Sequence, residues 1–313
     1  MESLSRGWTF LQESWRMAFK DQDLIKPSIY AMIAGLVVSV FGLIPLVGAA
    51  LLFGDGGLTG RGLMVLIGAL LVALHYLVGY VFSGMTVYLI YGYLAEGDGR
   101  MDKAWARVRR EFWNIVSLAV VSALVSVASR RMREGGRNRR SRKSRIGGAI
   151  AGLAETVWTE ASFLILPAMM IEDANLGAGV KRAAEIARGN LLLIGVSTVG
   201  VKWITRAISF VLGILGLALG LGLGFGLVRL LSSGTAGLVA GIGLGGLLFL
   251  AFTMTASVIS SYTMTAYHTC LFLWARDVEK AQVQVQGLQE GAPIPVHIPA
   301  PAPLAAVLAT ALQ

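Results

Sequence analysis

The chain has 313 residues but only one cysteine, Cys270, and three histidines. A single thiol excludes an intramolecular disulfide and a cysteine-based metal cluster. Charge is scarce as well: Asp, Glu, Lys and Arg make up 14% of the residues, against roughly 25% in an ordinary soluble domain. No P-loop GxxxxGK[ST], HExxH, GxSxG or Cys/His spacing for a metal occurs. The 39 glycines fall mostly within apolar stretches, so they do not read as phosphate loops. The first residues, MESLSRGWTFLQESW, lack an apolar signal core and a small-residue cleavage site, and no removed signal peptide is expected. These absences point away from an enzyme, a cofactor and a resident metal. An enzyme built on Glu155, Glu160 and His268 is a minor alternative, because nothing in the sequence brings the three together.

What the chain has is apolar length. Hydrophobic residues make up 55% and the mean hydropathy is +0.69. Several uncharged runs exceed the ~20 residues that cross a bilayer core. The expected fold is an all-α polytopic transmembrane bundle with about six membrane segments in a plasma or inner membrane, plus amphipathic surface helices. Trp8, Leu11, Trp15 and Phe19 recur every three or four residues, which predicts an amphipathic helix in the headgroup layer ended by Pro27. Spans are expected at about 28–53 and 63–95. A helix capped by Asp102 is expected to run to Ser129, followed by segments at about 146–171, 191–230 and 237–274. A second surface helix falls at 175–190. After Glu279 the chain turns polar and then Pro-rich, which predicts an extended tail.

The outlier is RRMREGGRNRRSRKSR, residues 130–145. It carries Arg130, Arg131, Arg133, Arg137, Arg139, Arg140, Arg142, Lys143 and Arg145 against one acid, Glu134. Such a run cannot sit in hydrocarbon, and it suits an anionic lipid or an acidic protein partner. It lacks interleaved aromatics, which argues against nucleic acid. Six crossings with both termini inside is the favoured topology, although it places this run outside, against the charge rule. Termini outside, or shallow segments on either side of the run, are the alternatives.

Several residues are candidates for chemistry within the membrane. Glu155 and Glu160 lie in an apolar segment, where ionisable groups default to a functional reading. Lys202 and Arg206 could join them in a charged layer or snorkel to an interface. Thr253, Ser257 and Ser261 form a hydroxyl row that packs helices or lines a wet path. Ser122, Ser126 and Ser129 share one face and suit close helix contact. His75 reads as a hydrogen-bonded packing residue. Gly216, Gly220 and Gly224 form one ladder and Gly237, Gly241 and Gly245 another. An antiparallel hairpin would pair Gly216 with Gly245, Gly220 with Gly241 and Gly224 with Gly237.

Residues 8–95 and 175–276 share a plan of surface helix, span, glycine-rich turn and overlong span. This suggests a duplication within one transmembrane domain, 1–276, with 96–174 inserted and a flexible tail at 277–313. The stretches ESWRMAFKDQDLIKPSI and FLILPAMMIEDANLGAGVKRAAEIARGN resemble an uncharacterised family of bacterial and archaeal multi-pass membrane proteins over most of 8–276. The resemblance implies a fold and no activity. The arginine run, Glu155, Glu160 and the Pro-rich tail lie outside the family's pattern.

Two functions remain open. One is permeation or transport of an ion or small solute through a polar layer made by Glu155, Glu160, Lys202, Arg206, Thr253, Ser257 and Ser261. The other is a non-catalytic scaffold or partner subunit held by its basic loop. A second copy of the chain is a further candidate partner.

Overall fold

Glycine, proline and charge punctuate the chain into helices, and a computed structural model describes residues 2–53, 57–137, 142–189, 191–230, 235–286, 300–301 and 303–305. No strand occurs among them. The helices are α1 (Glu2–Lys20), α2 (Lys26–Phe53), α3 (Gly57–Glu96), α4 (Met101–Arg110), α5 (Phe112–Arg137), α6 (Arg142–Glu172), α7 (Leu176–Gly189), α8 (Leu191–Leu230) and α9 (Thr235–Gln286). Five helices are long and apolar enough to cross a membrane, and a sixth crossing follows if α6 and α7, bent by 117°, count as one. Leu51 and Leu52 are each about 80% exposed, and Phe225 and Ile242 are also exposed. Continuous large apolar faces of this kind are stable only in lipid. The protein is a multi-pass integral membrane protein with an all-α fold.

The chain divides into two compact units. Unit 1 holds 1–20, 192–267 and 302–313, and unit 2 holds 21–191 and 268–301. The boundaries at 20, 191 and 267 fall inside both repeat-like halves. The order of elements nevertheless repeats, since α1–α3 and α7–α9 each run from a short amphipathic helix to a span to a longer helix.

In unit 1, α1 leaves two of the four expected apolar residues, Trp8 and Phe19, exposed and packs a neighbouring face instead. Phe10, Met17 and Ala18 are buried, as is Ser14. Trp15 Nε1 donates to Thr263 Oγ1 at 3.2 Å, the Tyr262 hydroxyl donates to the Ser14 carbonyl at 3.0 Å, and Phe10 meets Tyr267 edge to face. A Cβ on Gly7 would lie 2.6 Å from the Gly200 carbonyl oxygen on α8. The three- and four-residue spacing of Trp8, Leu11, Trp15 and Phe19 announced the helix but not the face that it buries, which is that of Phe10, Ser14, Met17 and Ala18.

Pro27 also acts differently from the expectation. α1 ends at Lys20, and Asp21 then caps a 3-10 turn over Gln22–Leu24 by accepting from the Asp23 N–H. Pro27 is the second residue of α2, within the first turn, where its missing N–H leaves no intrahelical bond unmade.

In unit 2, the helix expected from Asp102 to Ser129 breaks at Glu111, which is buried and accepts from Asn114 Nδ2 at 2.8 Å. Asp102 does not cap α4. It lies in the first turn and pairs with Arg100, the N-cap residue. α5 and α6 then form an antiparallel hairpin, since Ser122 meets Trp158 near one level while Arg110 meets Asp173 at one end. α6 closes with Asp173 in the left-handed region at φ 56° and the Ala174 N–H bonded back to the Ala168 carbonyl. Asn175 Oδ1 accepts from the Ala178 N–H to start α7. At the other end of the chain, α9 continues to Gln286, so the first ten or so residues of the expected tail are helical.

Candidate functional site

The polar seam of unit 2 begins with the serine face of α5. Ser122, Ser126 and Ser129 are all buried. Ser122 Oγ receives Trp158 Nε1 at 2.9 Å and shares a 2.8 Å hydrogen bond with the Tyr80 hydroxyl of α3. Ser126 Oγ donates to Glu155 Oε1 at 3.3 Å, and Arg133 pairs with the other carboxylate oxygen. The seam therefore ties α3, α5 and α6 together and ends in an ion pair. Glu155 sits about 25 Å along the helix from Glu172, close to the far end of a bilayer-length stretch. It answers Arg133 of the basic run and does not belong to a layer at mid-depth.

Glu160 is placed differently. It lies about 18 Å from Glu172, in the middle of the apolar part of α6. His268 Nε2 of α9 is 3.7 Å from its Oε2. The imidazole is 2% exposed and stacks on Phe163, with centroids 4.8 Å apart and planes within 16°. Glu160 and Phe163 are one turn apart, so a single face of α6 supplies both the acid and the ring that fixes the imidazole. Such a pair can hold or pass a proton between two titratable groups. Among the described residues no three His, Cys, Asp or Glu side chains are placed to hold a metal ion.

The remaining candidates distribute as follows. Lys202 is half-buried and Arg206 exposed on α8; both belong to unit 1, whereas Glu155 and Glu160 belong to unit 2. In the hydroxyl row, Thr253 bonds its own helix at the Phe249 and Leu250 carbonyls. Ser257 is exposed and Ser261 half-buried. His75 bonds Ser39 Oγ and the Leu71 carbonyl, each at 2.9 Å. In the basic run, Arg130, Arg131 and Arg133 are exposed on the last turns of α5. The side chains of Arg137, Arg142, Lys143 and Arg145 lie outside the described residues, as do Arg139 and Arg140 entirely.

In unit 1 the two glycine ladders meet, but one rung out of the expected register. A Cβ on Gly220 would lie 2.6 Å from the Gly245 carbonyl oxygen, and one on Gly224 2.7 Å from that of Gly241. Gly216 faces Phe252 instead of Gly245. The contacts of Gly237 lie outside the described residues. Residues including Leu217, Phe225, Val228, Ile242 and Phe249 line an apolar cavity of about 470 Å³ beside the ladder.

A charged end of unit 2, opposite the basic run, was not singled out from the sequence. Arg107 Nε donates to the Met170 carbonyl at 2.7 Å and Nη2 to that of Met169 at 3.3 Å. The same guanidinium pairs with Asp173, as does Arg110. Arg182 joins Glu172 to Glu279 of α9, at 3.1 and 2.6 Å.

The hydrogen bond from Arg107, with the nearby charges of Arg107 and Arg110, holds the Asp173 carboxyl below its ordinary range. A carboxylate depressed in the folded state contributes its stability in full above the unfolded value, about 3.9, and loses it as pH falls through the lowered folded value. The difference in Tm between the wild type and Asp173→Asn is expected to be constant near neutral pH and to close below about pH 4. A difference independent of pH down to about 3 would contradict this assignment.

Compared with known proteins, the chain matches no family model and no curated sequence.

Proposed function

We propose that the protein carries an ion or a small solute across its membrane, with the Glu160–His268 pair as the binding step. The observation that supports this most is the pair's setting, an acid and a nearly fully buried imidazole facing each other at 3.7 Å midway along apolar helices. Ionisable groups at that depth are costly to keep, and they commonly mark proton relays and ion pathways. A proton is the species that the pair can exchange directly. Glu155 drops out of the path on this reading, because Arg133 and Ser126 engage its carboxylate.

In proteoliposomes, Glu160→Gln is expected to lower the flux by at least tenfold, the loss that follows from removing one of two exchange partners. Glu155→Gln is expected to retain the flux. Equal flux in wild type and Glu160→Gln would refute the assignment.

A non-catalytic membrane scaffold is the second reading. It is favoured by the exposed arginines at the end of α5 and by the apolar cavity on the α8–α9 hairpin.

A further inference from the structure

We infer that the far end of the α5–α6 hairpin binds the headgroup of an anionic phospholipid. The argument begins with length. Trp113, at the start of α5, is 78% exposed, and Arg109 stacks its guanidinium 5.1 Å over Trp105 just before it. Exposed tryptophans with basic neighbours mark a headgroup layer. Arg133 follows about 30 Å further along the helix, which is one hydrocarbon thickness. Arg130, Arg131 and Arg133 therefore stand at the phosphate level of the opposite leaflet, not in the solvent beyond it.

The surface below them fits the rest of the molecule. Val120 and Leu124 on α5, and Ile150, Leu153 and Val157 on α6, are all exposed. Cations capping an apolar strip match a ligand whose phosphate is joined to acyl chains. A soluble acidic protein would meet only the arginines.

Glu155 sets how many of those arginines are available. It engages Arg133, whereas among the described residues no carboxylate pairs with Arg130 or Arg131. Two arginines then face the lipid and the third is held by an internal competitor. Removing the competitor should strengthen binding, an effect opposite in sign to that of removing arginines.

The test titrates the full-length protein in detergent with phosphatidylglycerol, and with phosphatidylcholine of the same acyl chains, reading bound lipid by native mass spectrometry. Each basic residue near an anionic surface changes affinity by about fivefold. Phosphatidylglycerol is expected to bind more tightly than phosphatidylcholine. Arg130→Gln with Arg131→Gln should weaken it by about 25-fold, and Glu155→Gln should strengthen it by about fivefold. Both arginines are exposed, so a retained Tm separates lost binding from lost folding. Equal affinity for the two lipids would overturn the proposal, as would a preference that survives the double variant. Displacement of phosphatidylglycerol by inorganic phosphate would indicate a free-phosphate site, and tighter binding of polyglutamate a protein surface. Either result also overturns it.

Discussion

Leucine at Gly245 is expected to be among the most damaging single substitutions in the protein, costing about 3 kcal/mol, the upper end of the range for forcing a side chain into a packed site. A Cβ built at Gly245 lies 2.5 Å from the Gly220 carbonyl oxygen, and the obstacle is backbone that cannot swing aside. The α8 and α9 axes would have to separate at that level, and the Gly224–Gly241 contact would open with them. Two residues earlier, Gly243 has nothing within 4 Å of its Cβ position. Leucine there points away from the seam, and its better helix propensity offsets any loss. Thermal unfolding of the two variants in the same detergent separates the cases: Gly245→Leu should lower Tm steeply while Gly243→Leu leaves it near the wild type. Comparable losses in both would mean that the hairpin does not rest on close backbone approach.

Arg107→Ala is expected to destabilise unit 2 by about 2–3 kcal/mol, because it removes charge-assisted hydrogen bonds and leaves buried acceptors unmet. α6 ends at Glu172, and the carbonyls of Met169 and Met170 are among those left without an intrahelical N–H. Arg107 supplies a donor to each, with a guanidinium only 10% exposed. It also pairs with Asp173, the residue that turns the chain through the left-handed region. Lysine is not an adequate replacement, since one ammonium cannot reproduce a planar fork directed at two carbonyls and a carboxylate. Arg107→Lys is therefore expected to recover less than half of the loss, with Tm as the measure.

The helical class, the membrane spans and the identity of the glycine seam were legible in the sequence because each depends on local pattern. The register of that seam was not. Both ladders repeat every four residues, so sliding one helix by four brings glycine opposite glycine again. Pairing Gly220 with Gly245 satisfies the pattern as well as pairing it with Gly241, and local sequence symmetry cannot choose between them. The surface helix α1 shows a related limit, since the expected stripe of Trp8, Leu11, Trp15 and Phe19 leaves Trp8 and Phe19 exposed, while Phe10 and Ser14 meet Tyr267 and Tyr262, partners that local spacing does not announce.

The site followed the same division. Glu155 and Glu160 were visible as acids in an apolar segment, and their five-residue spacing allowed separate partners. Those partners are distant in sequence. Arg133 was hidden within a run that reads as uniform positive charge, and His268 was one polar residue among many in α9. Arg107 was not singled out, because pairing a side chain with the carbonyls of a later helix leaves no mark in composition or period. The break at Glu111, which aims α4 back over the end of α6, was likewise not signalled by glycine or proline.

The central claim is that Glu160 and His268 form a step in an ion or solute path, with a proton as the simplest cargo. Its most direct test is flux by the unmodified protein. Full-length protein in liposomes loaded with a pH-sensitive dye is expected to dissipate an imposed proton gradient faster than protein-free liposomes, with the excess lost in Glu160→Gln. Internal pH that decays at the protein-free rate, together with no movement of small cations or solutes under the same gradient, would contradict the claim.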